Sequence, residues 1–318
     1  MIPTLDDVLA AREALEGRVH RTPTFSSATL SRQAGARVVL KAELFQRTGS
    51  FKPRGMFNAL AHLSDEEKRR GVITISAGNA AQSLAYCSSL ERIDCLVVMW
   101  QGASEAKIAA TRGYGASIDL EAPTPAEAFE RLRQLEQESG RAFIHSFDDP
   151  FLIAGHGTLG LELLEQVPDL STVIVPIGGG GLISGIATAV KGARPDVRIV
   201  GVEPELSPAM QKALAAGEPV QVSPSSIADG LSAPFAGENT LAIVRALMDE
   251  LVVITEDEIA DAFRFLYERA KLACEPAGAT STAVVLAGKV AFDSDETVVA
   301  VVSGGNVAAS TAVAILGS

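Results

Sequence analysis

Short runs of β-branched and apolar residues recur along the chain, and between them the apolar positions fall at helical spacing. The runs RVVLKAE (37–43), GVITIS (71–76), CLVVMW (95–100), TVIVPIG (172–178), RIVGVEPE (198–205) and ETVVAVVSGG (296–305) predict strands. Ala- and Leu-rich stretches at 55–64, 80–90, 104–113, 125–138 and 155–166 predict helices. Strands that are apolar on both faces and alternate with helices predict parallel sheets covered on both sides, an α/β fold. At the N-terminus, Thr4 with Asp7 reads as a capping-box variant. It opens an amphipathic helix with Leu5, Val8, Leu9 and Leu15 on one face, interrupted by Arg12. No repeat, low-complexity tract or disordered linker divides the chain. Any boundary between lobes therefore runs through compact structure, and the pattern allows a second lobe inserted into the first.

Ligands of open parallel sheets sit beyond the carboxyl ends of the strands. Three loops of that kind stand out. In PIGGGGLISGIATAV (176–190) a strand runs into Gly178, Gly179, Gly180 and Gly181, and then into an Ala-rich helix. Four glycines cost backbone entropy. What they offer is a turn of bare N–H groups at a helix N-terminus, suited to a phosphate. A tight turn without a ligand is the alternative. In ISAGNAAQSLAY (75–86), Ser76, Gly78 and Asn79 precede a helix. They suit a carboxylate or another anion, or merely cap the helix. In VVSGGNV (301–307), Ser303 follows an apolar strand. Its hydroxyl reaches the glycine crevice if both strands share a sheet; otherwise it is an ordinary turn serine.

The stretch RTGSFKPRGM (47–56) concentrates cations in an acidic chain. Pro53 suits the first helical position, so Lys52 falls at the cap and is expected to be extended. A helix N-terminus opposes a cation, and Arg47 and Arg54 add to that, so both effects favour a neutral, nucleophilic amine. A solvated surface lysine is the competing reading. Together, a phosphate loop, a neutral lysine, an anion site and a hydroxyl match an aldehyde cofactor with a phosphate and a ring, acting on an amino acid. Pyridoxal 5'-phosphate meets that description.

Composition narrows the classes. The chain has 318 residues and a net charge of −12, with 5% aromatic residues. Nucleic acid and anionic membranes call for a basic footprint, and base stacking for aromatics, so neither partner is expected. Cys87, Cys95 and Cys274 are too scattered for a disulfide framework or a zinc site, which fits a reducing cytoplasm. The N-terminus lacks the basic start and apolar block of a signal peptide. His20, His62 and His145 lack ligand spacing. In HSFDDP, Asp148 and Asp149 before Pro150 read as turn residues, against a His–Asp catalytic pair.

The sequence resembles the fold-type II pyridoxal-phosphate enzymes, in the serine/threonine dehydratase and serine racemase branch. Nearly the whole chain carries the resemblance, through HRTPTFSSATL, KAELFQRTGSFKPRG, SAGNAAQ, FDDPFLIAGHGTLGLEL, VPIGGGGLISGIA, VGVEP, IADGL, CEPAGA and SGGN in the family's order. It implies two lobes, each a mostly parallel twisted sheet flanked by helices, as in the tryptophan synthase β chain. Residues 1–47 and 147–318 would form the large cofactor-binding lobe, and 48–146 a small mobile lobe. Lys52 would condense with the cofactor aldehyde and then serve as base toward the substrate Cα proton. Phe51 would pack beside the ring, Asn79 bind its 3-hydroxyl, Ser303 face its nitrogen, and Gly178 to Gly181 with Leu182 hold the phosphate. Ser76, Ala77, Gly78, Asn79 and Ala80 would receive the substrate carboxylate. A threonine- or serine-type β-hydroxy amino acid would lose water, giving a 2-oxo acid and ammonia. A homodimer is also implied.

Departures from the family refine this. The second loop usually reads Ser-Ser-Gly-Asn-His, and here it is Ser76-Ala77-Gly78-Asn79-Ala80. Ala77 has no proton to exchange where racemases place a serine base, so racemisation is expected to be poor. Ala80 is expected to widen the pocket toward bulkier substrates such as phenylserine. His156 replaces a glutamine and is either a structural residue or a substitute polar contact to substrate. Metal-binding members carry an acidic cluster after VEP; Glu203 is present here, but Ala209 occupies the downstream acidic position, so no metal is expected. A racemase or a β-replacement enzyme on the same scaffold is the alternative.

Overall fold

The computed structural model describes residues 2–317. Among them are ten strands: β1 (Thr24–Ser26), β2 (Arg37–Ala42), β3 (Val72–Ile75), β4 (Cys95–Trp100), β5 (Ser117–Ala122), β6 (Ala142–Phe143), β7 (Thr172–Pro176), β8 (Arg198–Pro204), β9 (Glu250–Ile254) and β10 (Thr297–Val302). They form a six-stranded sheet in the order β1-β2-β10-β7-β8-β9 and a four-stranded sheet in the order β5-β4-β3-β6. All pairings are parallel except β1 with β2. The second sheet is built from chain lying between β2 and β7, as an insertion requires.

The six strands expected from the sequence are all present. The four that were missed, β1, β5, β6 and β9, are the edges of the two sheets. A central strand buried on both faces must be apolar throughout, whereas an edge strand need not be. β5, SIDLEA, mixes polar and apolar positions accordingly. In β10 the alternation serves two cores. Val298, Ala300 and Val302 pack with Phe263 and Val284 on one face, and Val299 and Val301 pack with Ile183 and Ile186 on the other. The Thr4–Asp7 capping box is formed, with the Asp7 carboxylate accepting from the Thr4 N–H at 2.7 Å.

Three helices fix the ground under the site: Pro53–Ala61, Pro150–Gln166 and Gly181–Ala193. Glycines let their backbones nearly touch. A Cβ on Gly155 would lie 2.3 Å from the Arg54 carbonyl oxygen, and one on Gly185 would lie 2.5 Å from that of Ile153. A buried ionic cluster ties the first two helices to the end of β2. The Arg54 guanidinium forks onto Glu43 at 2.8 and 2.9 Å and reaches Glu162 at 2.7 Å. Lys41 meets the other Glu162 oxygen at 2.7 Å, with the Thr22 carbonyl and the Gln166 side chain completing its donors. Breaking such a buried set costs more than forming it gains, so it fixes geometry more than it adds stability.

Gly155→Ala is expected to destabilise the protein by about 1–3 kcal/mol through overpacking. Gly113, at the end of a helix with open space around it, should accept alanine at little cost. Urea midpoints of the two variants test the contrast.

Candidate active site

β7 and β10 are parallel neighbours, so the loops that leave their carboxyl ends share one edge of the sheet. Gly178–Gly181 and Ser303 are therefore brought together, as the shared-sheet condition required. Gly180 has φ +96°, a left-handed conformation that suits only glycine, and it opens the helix Gly181–Ala193 with no side-chain cap. Side chains have no room in this loop. A Cβ on Gly179 would lie 2.3 Å from the Phe147 ring, and one on Gly181 would lie 2.7 Å from the Phe147 carbonyl oxygen. From behind, the Thr240 hydroxyl donates to the Gly179 carbonyl at 2.7 Å. The outcome is a rigid turn whose free N–H groups and helix dipole suit an anion.

Lys52 faces this loop through the intervening segment 146–147. Its Nζ donates to the Ser146 carbonyl at 2.7 Å and lies 5.1 Å from the Phe51 ring centroid. Its pKa is pushed down to about 8 by burial, against the opposing pull of Glu275. The depression was expected, but from another source. Arg54 spends its charge on Glu43 and Glu162, and Arg47 turns its Nε to the Arg18 carbonyl. The backbone also differs from expectation, since Lys52 is helical (φ −54°, ψ −37°) and not extended. Its neighbours dictate this. Ser50 bridges to Gly304, the Phe51 N–H bonds the Ser303 carbonyl, and the Lys52 carbonyl accepts from Met56. These ties outweigh the bias that Pro53 imposes.

Asn79 is held by residues the sequence reading missed. The Asn306 amide donates to the Thr48 carbonyl at 2.7 Å and to the Asn79 Oδ1 at 2.8 Å. Asn79 Nδ2 must then face Glu275, at 2.7 Å, which leaves its second N–H free. Glu275 is buried, and its pKa is raised to about 7, mainly by burial and then by Asp229. It also contacts the third loop, since a Cβ on Gly304 would lie 2.3 Å from its Oε1. The helix Asn79–Glu91 begins at Gly78 with no side-chain cap; the Ser76 hydroxyl accepts from the Gly78 N–H at 3.1 Å instead. Its first N–H groups therefore stay available. Ala80 is buried among Met56, Phe57 and Leu84, so its methyl belongs to the core and does not widen a pocket. Ala77 packs against the same cluster, half-buried.

His156 is fully buried and meets Phe51 edge-to-face, with centroids 4.8 Å apart. Of the two readings open to it, this burial supports the structural one over a polar contact to substrate. Asp148 and Asp149 are capping residues. Asp148 accepts from the N–H groups of Glu238 and Thr240, and Asp149 from that of Leu152. His145 Nδ1 accepts from Asp148 N–H at 2.8 Å, and burial pushes its pKa down to about 4. Glu203 accepts from the N–H groups of Met210 and Gln211, so its carboxylate is engaged in capping a helix.

The sequence pattern of the family described as "Pyridoxal-phosphate dependent enzyme" matches residues 15–304. This chain belongs to that family. An L-threonine ammonia-lyase of Thermotoga maritima is 43% identical over 306 residues, 96% of this chain and 76% of that protein. A catabolic L-threonine dehydratase of Staphylococcus aureus is 42% identical over 310 residues, 96% of this chain and 90% of that one. The structure of maize serine racemase superposes with a TM-score of 0.94 at 36% identity, covering 98% of this chain and 96% of that one.

The residues fit the family's cofactor. The glycine turn at a helix N-terminus offers N–H donors for a phosphate, Asn79 keeps one N–H for an acceptor, and Lys52 supplies an amine that is easily deprotonated. Ser303 directly follows β10, at the same edge of the sheet as the glycine turn, and is buried. Above about pH 7, Glu275 is anionic and favours the ammonium form of Lys52. Glu275→Gln removes that charge and should lower the Lys52 pKa further below about 8. The pH profile of Lys52 acylation in the apo-protein, read by mass spectrometry, tests this; an unchanged or raised midpoint would contradict it.

Proposed function

We propose that this protein is a dehydratase of small β-hydroxy amino acids of the threonine and serine type, releasing a 2-oxo acid and ammonia. The observation that carries the reading is the acid–base inventory of the site. Lys52 offers an amine poised near neutrality, and the anion loop offers a methyl at Ala77 where a second base would sit. One base removes the Cα proton from one face. Return of a proton from the other face, which racemisation needs, has no donor at Ala77. The two curated relatives named as threonine ammonia-lyase and threonine dehydratase support the same direction. The racemase likeness fits the alternative less well, because its sequence identity is lower.

The roles follow. Bound pyridoxal phosphate would supply an electron sink for the negative charge left when the Cα proton is removed. Gly178 to Gly181 and Leu182 would hold its phosphate by their N–H groups, with Phe51 beside its ring, Asn79 available to its 3-hydroxyl and Ser303 to its nitrogen. Ser76 with the amides of Asn79 to Ala81 orients the substrate carboxylate. Lys52 would take the Cα proton, and the β-hydroxyl would leave with a proton as water. Glu275 fixes Asn79 and tunes Lys52 by its charge. Residues 48–146 form the lobe that moves over the substrate and excludes water. The enzyme acts in the cytoplasm as a homodimer. No helix among the described residues is long and apolar enough to cross a membrane.

Incubation with L-threonine, L-serine, 3-hydroxyaspartate and phenylserine, assayed for 2-oxo acid and ammonia, tests the activity. L-Threonine and L-serine should turn over without an added thiol, and Lys52→Ala should lose at least about 10³-fold in kcat/KM. Product that forms only with a thiol would point to β-replacement. Ala77→Ser should add measurable interconversion of serine enantiomers; no gain would count against the one-base account.

A further inference from the structure

His156 sits where the three central helices meet, and it is completely buried. Neither ring nitrogen reaches hydrogen-bond geometry with a partner among the described residues, although backbone carbonyls lie near it. Its ring presses on Phe51, and a Cβ on Gly55 would lie 2.5 Å from its Nε2. The backbone carbonyls that approach it are those of Gly181 and Lys52. The imidazole is thus wedged between the segment that carries the reactive lysine and the first residue of the helix under the glycine turn.

Such a placement is costly. A buried polar group without a partner costs about 1–3 kcal/mol. An apolar ring of equal size would fill the space without that cost. Burial and the nearby positive charges of Lys52 and Arg54 keep the ring neutral, so it has one N–H donor and one bare nitrogen. Two carbonyls face one donor. The cofactor must reach its lysine and its phosphate cradle at once, and both anchors must be held to fractions of an ångström. We propose that His156 is a positioning residue whose imidazole spaces the Lys52 backbone from Gly181 and, with cofactor held between these anchors, donates its N–H to one of the two carbonyls. This rests on the reading of Lys52 and the glycine turn as the cofactor's anchors.

His156→Phe keeps the volume and the contact with Phe51 and deletes both nitrogens; His156→Gln restores an N–H. Three quantities are read: the pyridoxal-phosphate dissociation constant of the apo-protein, the pH midpoint of the visible absorbance of the bound cofactor, and the thermal midpoint of the apo-protein. His156→Phe is expected to raise the dissociation constant at least about tenfold, the loss of one hydrogen bond. It should also move the pH midpoint by about half a unit or more, with an apo-protein as stable as the parent or more so. His156→Gln should recover both binding readouts. A phenylalanine variant with unchanged affinity and midpoint overturns the proposal. So does one whose affinity falls only together with apo-protein stability, since that marks packing alone. If the parent protein itself shows no visible absorbance that depends on Lys52, the anchor reading fails first and the role of His156 falls with it.

Discussion

An amine taken out of water loses its preference for the charged form, and this desolvation of Lys52 is the constraint on which the site depends. A solvated lysine near neutral pH is almost wholly protonated and cannot attack an aldehyde. Held against the Ser146 carbonyl, with its pKa pushed down to about 8, Lys52 has a usable neutral fraction. Glu275 works the other way and keeps the amine from becoming permanently neutral. A base that must both take and return a proton benefits from that balance.

Holding one side chain in this state requires much of the fold. The lysine lies on a short stretch, 50–52, that is stitched to the loop after β10 by backbone hydrogen bonds. The helix that follows is locked by the Arg54–Glu43–Glu162–Lys41 cluster and by glycine-mediated contact with its neighbour. The glycine turn runs into the third helix of the same group. Lysine and glycine turn thus both rest on this packed group of helices, while the loop at 76–80 follows β3 of the inserted four-stranded sheet.

Much of this arrangement was legible in the chain itself. Central strands announce themselves because both their faces are buried, and the four edge strands do not. The glycine turn, Lys52 and Ser303 each sit directly after an apolar run or before a proline, where strand-to-helix punctuation is strong. Glu275 and Asn306 gave no such local sign, because their work is done with Asn79, 196 and 227 positions away. An acidic residue before a helix-opening proline in CEPAGA was the available signal for Glu275. The source of the lysine shift was also misjudged. Nearby arginines in sequence implied repulsion, but their guanidinium groups are engaged elsewhere, and burial, which sequence does not display, does the work.

The account is tested most directly by locating the cofactor covalently. The apo-protein is incubated with pyridoxal phosphate across a pH series, reduced with borohydride, and digested for peptide mapping. The expected result is a single pyridoxyl label on Lys52, half-maximal near pH 8. Labels spread over surface lysines, or a Lys52 label that rises only above about pH 10 as for a solvated lysine, would contradict it.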